Sequence, residues 1–397
     1  MKSFTLYTPT RIFFGEDADS NIGPALSSYG FKKVMIHYGS NRVVNNDLMK
    51  KVTDQLDQAG IAYCELGGVE PNPKITLVRK GVEFAREQQV DFILGIGGGS
   101  VCDSSKAIAL GLATGMDPWD VISNGVKPEK PFPVGVVLTM AAAGSEMSNS
   151  CVITNSELSL KRSTNQDANR MLVAFMNPRN TITVPPFQTA AGSVDMMMHT
   201  MERYLTDEPA TPLTDGIAVS LLRTVREQTE LVVKDPSNVE ARGELMWASS
   251  LAHNCLTGCG RNMTFTVHKL EHDFSGFKDS ITHGAGLAVL FPAWVLHEYK
   301  HGIDRFYTWA RDVWDADPDG TAATDEQKEQ AILAGVSNLK KTYSSWGMPS
   351  TLADLGISPS DYETVANLTT NNGTKTIPSF GRQIGKEEIL EIYKLAE

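Results

Sequence analysis

The chain has 397 residues, of which 41% are hydrophobic and 21% are charged; this balance is typical of a globular protein, and the length allows about two domains. The formal net charge of −11 disfavours nucleic-acid binding, which relies on Lys and Arg side chains that neutralise phosphates. The sequence has no membrane-spanning run of about 18 apolar residues and no signal-peptide pattern, so we expect a cytoplasmic protein whose five cysteines are reduced.

The first half of the chain alternates between strand-like and helix-like segments. Short apolar runs predict strands at 32–38, 61–66, 91–97, 132–139 and 170–177, and helical periodicity predicts helices at 45–60, 74–89 and 101–115. An alternating order of this kind predicts a parallel sheet covered by helices. We therefore expect an α/β domain with a Rossmann-like parallel sheet over residues 1–185.

The second half, beyond a predicted hinge at Pro185 and Pro186, is helix-periodic and poor in β-branched runs. Helices are predicted at 187–206, 214–234, 238–258, 262–275, 284–299, 325–346, 359–370 and 386–396. Residues 186–397 are thus predicted to form an all-helical domain. Cys255 and Cys259 would share one face of a helix there, where buried packing is favoured over metal binding.

A glycine-rich segment, GIGGGSVCDSSK, joins the strand at 91–97 to the helix that follows it. Gly97, Gly98 and Gly99 would let backbone N–H groups approach a phosphate closely, and the start of a helix favours negative charge there. The spacing is neither GxGxxG nor that of a P-loop, but the strand–turn–helix context favours phosphate binding over a plain tight turn.

The polar residues that follow these glycines have two interpretations. Ser100 and Asp103 could contribute to a cofactor site, or they could form part of a capping box at the helix start. Lys106 could belong to the same site, or it could pair with Asp103 on a solvated surface. The residues alone leave these alternatives open.

Acidic and histidine side chains recur at helical spacing in the second half. Asp195 and His199 lie one turn apart in VDMMMHTMERY, and His268 and His272 lie one turn apart in VHKLEHDFSG, with His283 at the start of the next predicted helix. Imidazole and carboxylate ligands suit Zn²⁺ or Fe²⁺ and do not suit Ca²⁺ or Mg²⁺. Five candidates for about four ligand positions predict a metal site rather than a set of core histidines. The other histidines are interpreted as structural or surface residues: His37, His253, His297 and His301.

A phosphate-binding turn on a parallel strand, together with a metal in a helical domain, indicates a nucleotide cofactor and a metal that polarises a substrate oxygen. Six segments resemble the iron-containing (group III) alcohol dehydrogenase family, and within it the butanol dehydrogenase-like branch of NADPH-dependent aldehyde reductases. In chain order they are PTRIFFGE (9–16), GIGGGSVCDSSK (95–106), VLTMAAAGSEMS (137–148), VDMMMHTMERY (194–204) and HKLEHDFSG with HGAGLAVLFPAW (268–276 and 283–294). The resemblance spans nearly the whole chain.

The resemblance implies a dehydroquinate synthase-like architecture, in which an α/β dinucleotide-binding domain precedes an all-α domain, and it implies a homodimer. It also implies one divalent metal, iron or zinc, with four ligands: Asp195, His199, His268 and His283. His272 is then left beside the substrate. For the cofactor it implies two loops and one lysine near the nicotinamide ribose: Gly97, Gly98, Gly99, Ser100 and Asp103, then Thr139 and Ser145, and finally Lys161.

The sequence departs from the family pattern in three places. One extra residue between His272 and His283 predicts a bulged loop before the last ligand. The segment TMAAAGSE (139–146) replaces a loop richer in hydroxyl groups, and THG (282–284) stands where PHG is frequent.

The segment GSNR after the first predicted strand bears on the choice of cofactor. NAD sites usually place an acidic residue where it bonds the ribose hydroxyls, whereas a 2′-phosphate favours a nearby cation. Gly39, Ser40 and Asn41 are neutral, Arg42 follows them, and no acid appears before Asp47. We therefore favour NADP(H) over NAD(H), with the three neutral residues in the site, although Arg42 could also be a solvated residue at a helix start.

The expected activity is hydride transfer between NADP(H) and a small aldehyde or alcohol, with the metal as a Lewis acid and His272 or a ribose hydroxyl as the proton relay. One alternative is a dehydroquinate synthase-like lyase that uses NAD and a metal. It would need a basic cluster for an anionic substrate, and only Arg203 and Lys269 lie near the histidines in sequence. The other alternative is a catalytically silent nucleotide- or metal-binding homologue, which the complete ligand set disfavours.

Overall fold

The structure, a computed structural model, describes residues 1–39, 47–158 and 160–397. The chain forms two compact units. An α/β unit comprises Tyr7–Val184 and Ser237–Asn254, and a helical unit comprises Met1–Leu6, Pro185–Pro236 and Cys255–Glu397. This division differs from the one predicted between residues 185 and 186 in two segments, because Ser237–Asn254 packs with the α/β unit and Met1–Leu6 with the helical unit.

The α/β unit is built on a parallel sheet. Its strands are β1 (Arg11–Phe14), β2 (Lys33–Tyr38), β3 (Ala62–Leu66), β4 (Phe92–Gly97), β5 (Val134–Leu138), β6 (Ser150–Asn155), β7 (Leu160–Asn165) and β8 (Val173–Met176). Its helices are α1 (Ile22–Ser28), α2 (Asp47–Gln58), α3 (Ile75–Glu87), α4 (Gly99–Thr114), α5 (Pro118–Asn124) and α8 (Val239–His253). Six strands form one parallel sheet in the order β1-β8-β5-β4-β2-β3, and β6 pairs with β7 in an antiparallel hairpin. The predicted fold class of this half is confirmed.

Burial accounts for only part of the difference between the strands that were predicted and those that were missed, since β3 was predicted although it is only partly buried and β6 was missed although it is mostly buried. Every residue of β4 and of β5 is buried, so both appear in the sequence as short continuous apolar runs. Strand β1 at one edge of the sheet is only partly covered, and β7 of the hairpin is mostly exposed. The apolar run in β1 is only three residues long, Ile12 to Phe14, and β7 has none, so both lack the longer runs by which the other strands were predicted.

The strand order changes direction between β2 and β4. From β2 the chain continues to β3 on one side, and it then returns to place β4 on the other side of β2, with β5 beyond it. Ligands of doubly wound sheets bind outside the carboxyl ends of the strands at such a point. Gly39 directly follows β2 and Gly98 directly follows β4, so both glycines lie at this position.

The helical unit consists of helices and one short ribbon. Its helices are α6 (Pro186–Tyr204), α7 (Pro212–Lys234), α9 (Thr266–Phe277), α10 (His283–Glu298), α11 (Ile303–Trp314), α12 (Asp325–Ser345), α13 (Pro359–Thr370) and α14 (Lys386–Leu395), and the ribbon pairs β9 (Ile377–Ser379) antiparallel with β10 (Arg382–Ile384). The region is therefore mostly helical, as predicted, and the ribbon corrects the prediction that it is all-helical. Helix α11 was not predicted. Among the described helices, none has the length and apolar character needed to cross a membrane.

The helix predicted at 238–258 ends earlier than expected. Helix α8 ends at His253, and Cys255 has a left-handed backbone with φ +79°. Cys255 and Cys259 therefore do not share a helix face, and this prediction is wrong. None of the five cysteines, all of them described, forms a disulfide.

His37 is a buried residue of β2. Its Nδ1 lies 2.7 Å from the carbonyl oxygen of Leu66, and its Nε2 lies 2.8 Å from Oγ of Ser104. A neutral imidazole that donates from Nδ1 and accepts at Nε2 satisfies both contacts. Burial disfavours the charged form, and although the Leu66 carbonyl opposes this effect, the pKa of His37 is lowered to about 4. His37 thus has a structural role.

We expect His37 to make the protein less stable in acid. The unfolded chain takes up a proton near pH 6.5 and the folded chain only near pH 4, so stability falls as the pH drops through this interval, by about 3 kcal/mol in total. Denaturant unfolding should show that His37→Asn, which cannot titrate, loses about 3 kcal/mol less than the wild type over this range. The variant His301→Asn, at an exposed position, should follow the wild type. Equal losses in His37→Asn and the wild type would contradict the prediction.

Candidate functional site

Asp195 and His199 lie inside the helical unit. Helix α6 is buried from Thr189 to Tyr204, so polar side chains on it need partners within the protein. The two residues are one helical turn apart, and Nε2 of His199 lies 3.4 Å from Oδ1 of Asp195. Both side chains therefore face the same point in the interior of the unit.

Two further helices bring histidines to the same carboxylate. Nε2 of His268 on α9 lies 3.5 Å from Oδ1 of Asp195, and Nε2 of His283 at the start of α10 lies 3.7 Å from it. A glycine permits the close approach of α10 to α6, since a Cβ atom at Gly284 would lie 2.0 Å from the carbonyl oxygen of Ala191. The dipeptide HG at the start of α10 thus positions His283 against Asp195.

The geometry and chemistry of these four side chains suit a divalent metal. Zinc bonds of about 2.0–2.2 Å in a tetrahedral site place ligand atoms about 3.3–3.6 Å apart, close to the 3.4, 3.5 and 3.7 Å that separate Oδ1 of Asp195 from the imidazole nitrogens. Burial lowers the pKa of His268, but the carboxylates of Glu202 and Asp195 outweigh it and the pKa rises to about 9. The local field therefore favours a cation. With the extra residue before it, His283 still has its Nε2 3.7 Å from Asp195, but the group whose ligand atoms all lie within 4.8 Å of one another comprises Asp195, His199 and His268 without it.

His272 lies beside this group. Its ring centroid is 5.2 Å from that of His283 and 6.3 Å from that of His268, and its side chain is half-buried. It forms a second group with Glu271 and His283, in which one ligand atom from each residue lies within 4.8 Å of the others. The structure thus brings all five predicted candidates together, with His272 on a partly exposed side.

Two glutamates of the site were not predicted from the sequence. Glu202 on α6 contacts Nδ1 of His268, and Glu271 on α9 contacts Nδ1 of His283. Both carboxylates are buried, at 2% and 0% exposure respectively. A signal for them exists in the sequence, because Glu202 lies two helical turns after Asp195 on the same face. Glu271 follows His268 by three residues, which also places it near that histidine on the helix surface.

The glycine-rich turn lies between β4 and α4 in the α/β unit. A Cβ atom at Gly97 would lie 2.4 Å from Cγ2 of Val101, so this glycine is required by packing. A Cβ atom at Gly99 would meet nothing within 4 Å, so the first residue of α4 borders open space. The first N–H groups of a helix have no acceptor within it and can bind an anion. The turn therefore has the form that the phosphate interpretation requires at Gly99.

The second predicted loop follows β5, next to the first. The N–H of Thr139 donates to the carbonyl oxygen of Gly97 at 3.0 Å. Oγ of Ser145 donates to Oδ1 of Asp103 at 2.7 Å, and Oδ2 of Asp103 accepts from the N–H of Val152 at 3.1 Å. Asp103 thus ties the two loops together, and the capping interpretation is wrong because no side chain caps the start of α4.

Lys106 is a buried residue, only 1% exposed. Its Nζ donates to the carbonyl oxygens of Ser145 and Ser150 at 2.6 and 2.8 Å, and to Oγ of Ser145 at 2.9 Å. Weaker contacts of 3.3 Å reach the carbonyl oxygen and the hydroxyl of Ser148. The solvated ion pair with Asp103 is therefore the wrong interpretation, since Lys106 holds the second loop in place from inside the unit.

The remaining predicted cofactor residues are more dispersed. Lys161 on β7 donates from Nζ to Oδ1 of Asn72 at 3.1 Å. Burial raises the pKa of Asp103, and the charge of Lys161 is among the effects that oppose this, so Lys161 lies near the loop. The carbonyl oxygen of Gly39 accepts from the N–H of Gly68 at 2.9 Å. Ser40, Asn41 and Arg42 lie outside the described residues.

Similarity to known proteins extends over nearly the whole chain. Residues 9–178 match the family model described as iron-containing alcohol dehydrogenase, and residues 189–396 match the model of the C-terminal part of that family. The chain belongs to the iron-containing alcohol dehydrogenase family. It is therefore an oxidoreductase, and the resemblance seen in the sequence is confirmed.

Individual relatives of this alcohol dehydrogenase match it over 90% or more of their length. The chain is 38% identical to NADH-dependent butanol dehydrogenase A of Clostridium acetobutylicum, with 99% of each chain covered. It is 32% identical to the NADPH-dependent aldehyde reductase YqhD of Escherichia coli, with 90% of each chain covered. The crystal structure of NADH-dependent butanol dehydrogenase A from Thermotoga maritima superposes with a TM-score of 0.92 at 32% identity, covering 100% of this chain and 99% of that one.

Proposed function

We propose that this alcohol dehydrogenase is a metal-dependent enzyme that transfers a hydride between a nicotinamide dinucleotide and a small alcohol or aldehyde, of the size of butanol or butyraldehyde. The observation that supports it most is the grouping of three imidazole nitrogens within 3.4–3.7 Å of one oxygen of Asp195. The activities named for the relatives, butanol dehydrogenase and aldehyde reductase, support the substrate class.

The metal ligands in this proposal are Asp195, His199, His268 and His283, and they would hold one Fe²⁺ or Zn²⁺ ion. A divalent metal supplies Lewis-acid polarisation of a carbonyl oxygen. Asp195 contributes negative charge at the centre of the group. The buried surroundings of α6 keep water away from the reacting carbonyl.

The proton in this proposal is handled by the residue beside the metal ligands. His272 is half-buried next to His283. One of its ring nitrogens donates a proton to the substrate oxygen as that oxygen becomes a hydroxyl, or a ribose hydroxyl of the cofactor passes the proton on. In alcohol oxidation the same nitrogen accepts the proton.

The cofactor residues in this proposal come from the glycine-rich turn and the start of α4, from the second loop, from β7 and from the segment after β2. They are Gly97, Gly98, Gly99, Ser100 and Asp103, then Thr139 and Ser145, then Lys161, and finally Gly39, Ser40 and Asn41. A nicotinamide cofactor supplies the hydride. The names of the relatives divide between NADH and NADPH. We favour NADP(H), because the segment from Gly39 to Arg42 has no acidic residue and ends in a cation.

The choice of cofactor leads to a test at Arg42. If its guanidinium binds a 2′-phosphate, Arg42→Ala should lower kcat/KM for NADPH about tenfold, the effect of about 1.4 kcal/mol from one charge-assisted contact, and should leave kcat/KM for NADH unchanged. Lys50→Ala is a matched control on α2, since Lys50 is already paired with Asp54. A wild-type enzyme that uses NADH better than NADPH, or an Arg42→Ala variant with an unchanged cofactor ratio, would contradict the NADP(H) preference.

The whole proposal is tested by metal content measured together with turnover. Protein purified without chelator should contain about one Fe or Zn per chain, and should oxidise NADPH when butyraldehyde is added. Stripping the metal should abolish turnover, and refilling should restore it. A metal-free protein with undiminished turnover would refute the proposed role of Asp195 and the three histidines.

The lyase alternative is disfavoured because the two cations that could bind its anionic substrate already have partners within the protein. Nη1 of Arg203 donates to the carbonyl oxygen of His199 at 2.6 Å, and its guanidinium lies 4.9 Å from the ring centre of Phe265. Nζ of Lys269 lies 2.6 Å from a carboxylate oxygen of Asp273. Both cations are thus engaged within the protein. Net consumption of NADPH by simple aldehydes would exclude the lyase, and no turnover across a broad aldehyde panel would favour the catalytically silent homologue.

A homodimer, in a cytoplasmic setting, is part of the same proposal. Strand β1 is an edge strand that pairs along its length with β8 alone among the described strands, and Phe14 on it is 43% exposed. Edge strands with exposed apolar side chains are ready to pair with another chain. Sedimentation should give twice the chain mass of 43.3 kDa, and Phe14→Lys should shift it toward a single chain. A wild-type protein that sediments as one chain at micromolar concentration would contradict the dimer.

A further inference from the structure

We propose that Glu202 and Glu271 are positioning residues for the metal, each orienting one of the histidine ligands from behind. This inference rests on the proposed function, because it assigns the two glutamates to the metal site described above. Glu202 would hold His268 and Glu271 would hold His283, so that Nε2 of each ring faces Asp195.

Two contacts of the Glu202 carboxylate hold it against His268. One oxygen of Glu202 accepts from the backbone N–H of Val267 at 2.6 Å, and the other contacts Nδ1 of His268. An ionised carboxylate can only accept hydrogen bonds, so Nδ1 keeps its proton, and the nitrogen that would release its proton to bind a metal is Nε2. The backbone bond fixes the carboxylate at the start of α9, and this sets the direction of the imidazole.

The second pair depends on a glycine. Glu271 on α9 contacts Nδ1 of His283 through one carboxylate oxygen. A Cβ atom at Gly286 would lie 2.7 Å from Cγ of Glu271 and 3.0 Å from its other oxygen. The carboxylate therefore occupies space that exists because position 286 of α10 has no side chain.

The charges of the cluster point to a cation at its centre. Asp195, Glu202 and Glu271 are three carboxylates buried around the histidine rings. Buried charges are costly unless they are paired or coordinate a metal. Carboxylates behind histidine ligands fix the ring tautomer and strengthen the ligand, and their loss weakens metal binding substantially. The arrangement in this chain repeats that chemistry on two different ligands.

A similar pair elsewhere in the unit provides a matched control. Glu298 on α10 is also fully buried, and its Oε1 lies 2.8 Å from Nδ1 of His297. Arg382 binds the same carboxylate at 2.9 Å. Among the described residues, His297 and Glu298 belong to no group of side chains that could hold a metal. Loss of a carboxylate there should affect folding without affecting a metal.

The experiment measures metal affinity directly. Chelator-stripped protein is titrated with Co²⁺ and followed by visible absorption, which does not depend on turnover. Glu202→Gln and Glu271→Gln should each raise the dissociation constant by about 10- to 100-fold, the usual effect of removing such a partner. Glu298→Gln should leave it within about twofold of the wild type. Circular dichroism and thermal unfolding of the metal-free proteins establish that each variant is folded.

A glycine substitution can change the position of Glu271 while every carboxylate of the site is kept. Gly286→Ala should push Glu271 away from His283 and raise the Co²⁺ dissociation constant about tenfold. Gly276→Ala on α9 is its control, because a Cβ atom there meets nothing within 4 Å. Folded Gln variants that bind Co²⁺ as the wild type does would overturn the positioning role and leave the proposed function standing. A wild-type protein that binds no Co²⁺ would overturn both.

Discussion

The variant His268→Ala is expected to lose both the metal and the activity. His268 contributes one of three imidazole nitrogens around Oδ1 of Asp195, and its removal would leave the buried carboxylates of Asp195 and Glu202 without the ring that lies between them. Loss of several kcal/mol of charge stabilisation corresponds to a fall in kcat/KM of roughly a thousandfold or more. NADPH oxidation with butyraldehyde and elemental analysis measure the two losses.

Nucleotide binding should survive this substitution. The predicted cofactor loops belong to the α/β unit, whereas His268 belongs to the helical unit. The NADPH dissociation constant, measured by fluorescence titration, should therefore stay within about twofold of the wild-type value, well below a tenfold change of 1.4 kcal/mol. His301→Ala, at an exposed position of the same unit, should retain metal and activity. Full turnover by metal-depleted His268→Ala protein would refute the proposed mechanism.

The variant Gly144→Ala is expected to cause a large loss of stability in the α/β unit. Gly144 has φ +66°, and a Cβ atom there would lie 2.0 Å from the carbonyl oxygen of Ser249. The left-handed conformation costs about 1–2 kcal/mol for a residue with a side chain, and displacing backbone in a packed region costs about 1–3 kcal/mol more. Denaturant unfolding should therefore show a loss of about 3 kcal/mol or more.

The variant Gly125→Ala separates the two causes. Gly125 also has a left-handed conformation, with φ +63°, but a Cβ atom there meets nothing within 4 Å. It should cost about 1 kcal/mol, the conformational part alone. Because Ser145 follows Gly144 and bonds Asp103, Gly144→Ala should also weaken NADPH binding, and Gly125→Ala should not. Equal losses of stability in the two variants would show that the contact with Ser249 does not matter.

Local patterns predicted several of the buried elements but not all of them, since the mostly buried strand β6 was missed. The buried strands β4 and β5 and the helix α6 are recognisable because burial leaves continuous apolar runs or helical periodicity in the sequence. Helix α11, IDRFYTWARDVW, was missed although its apolar residues recur at helical spacing, and its many aromatic residues of modest helix propensity weaken the signal. Its stability comes from packing, since Phe306, Trp309 and Trp314 are all buried. The sequence does not show which other helices pack against these side chains.

The partnership of α8 with the α/β unit could not be seen in the sequence. The helix lies beyond residue 186, among other helices, and its pattern is that of any partly buried helix. Its assignment follows from contacts such as those of Gly144 with Ser249 and of Glu146 with Ser250, whose Oγ donates to the carboxylate at 2.5 Å. These residues are about a hundred positions apart in the chain.

The sequence by itself determined the chemical types of the site: a glycine turn between a strand and a helix, two pairs of Asp or His residues at helical spacing, and a further histidine at the start of the next helix. The tertiary structure decided which atoms meet. It places three Nε2 atoms around Asp195 and the Nζ of Lys106 against the loop that contains Ser145. It also places the two glutamates against Nδ1 of His268 and of His283. The physical reason is that periodicity reports which face of an element is buried. What that face meets depends on how helices and strands distant in sequence pack together.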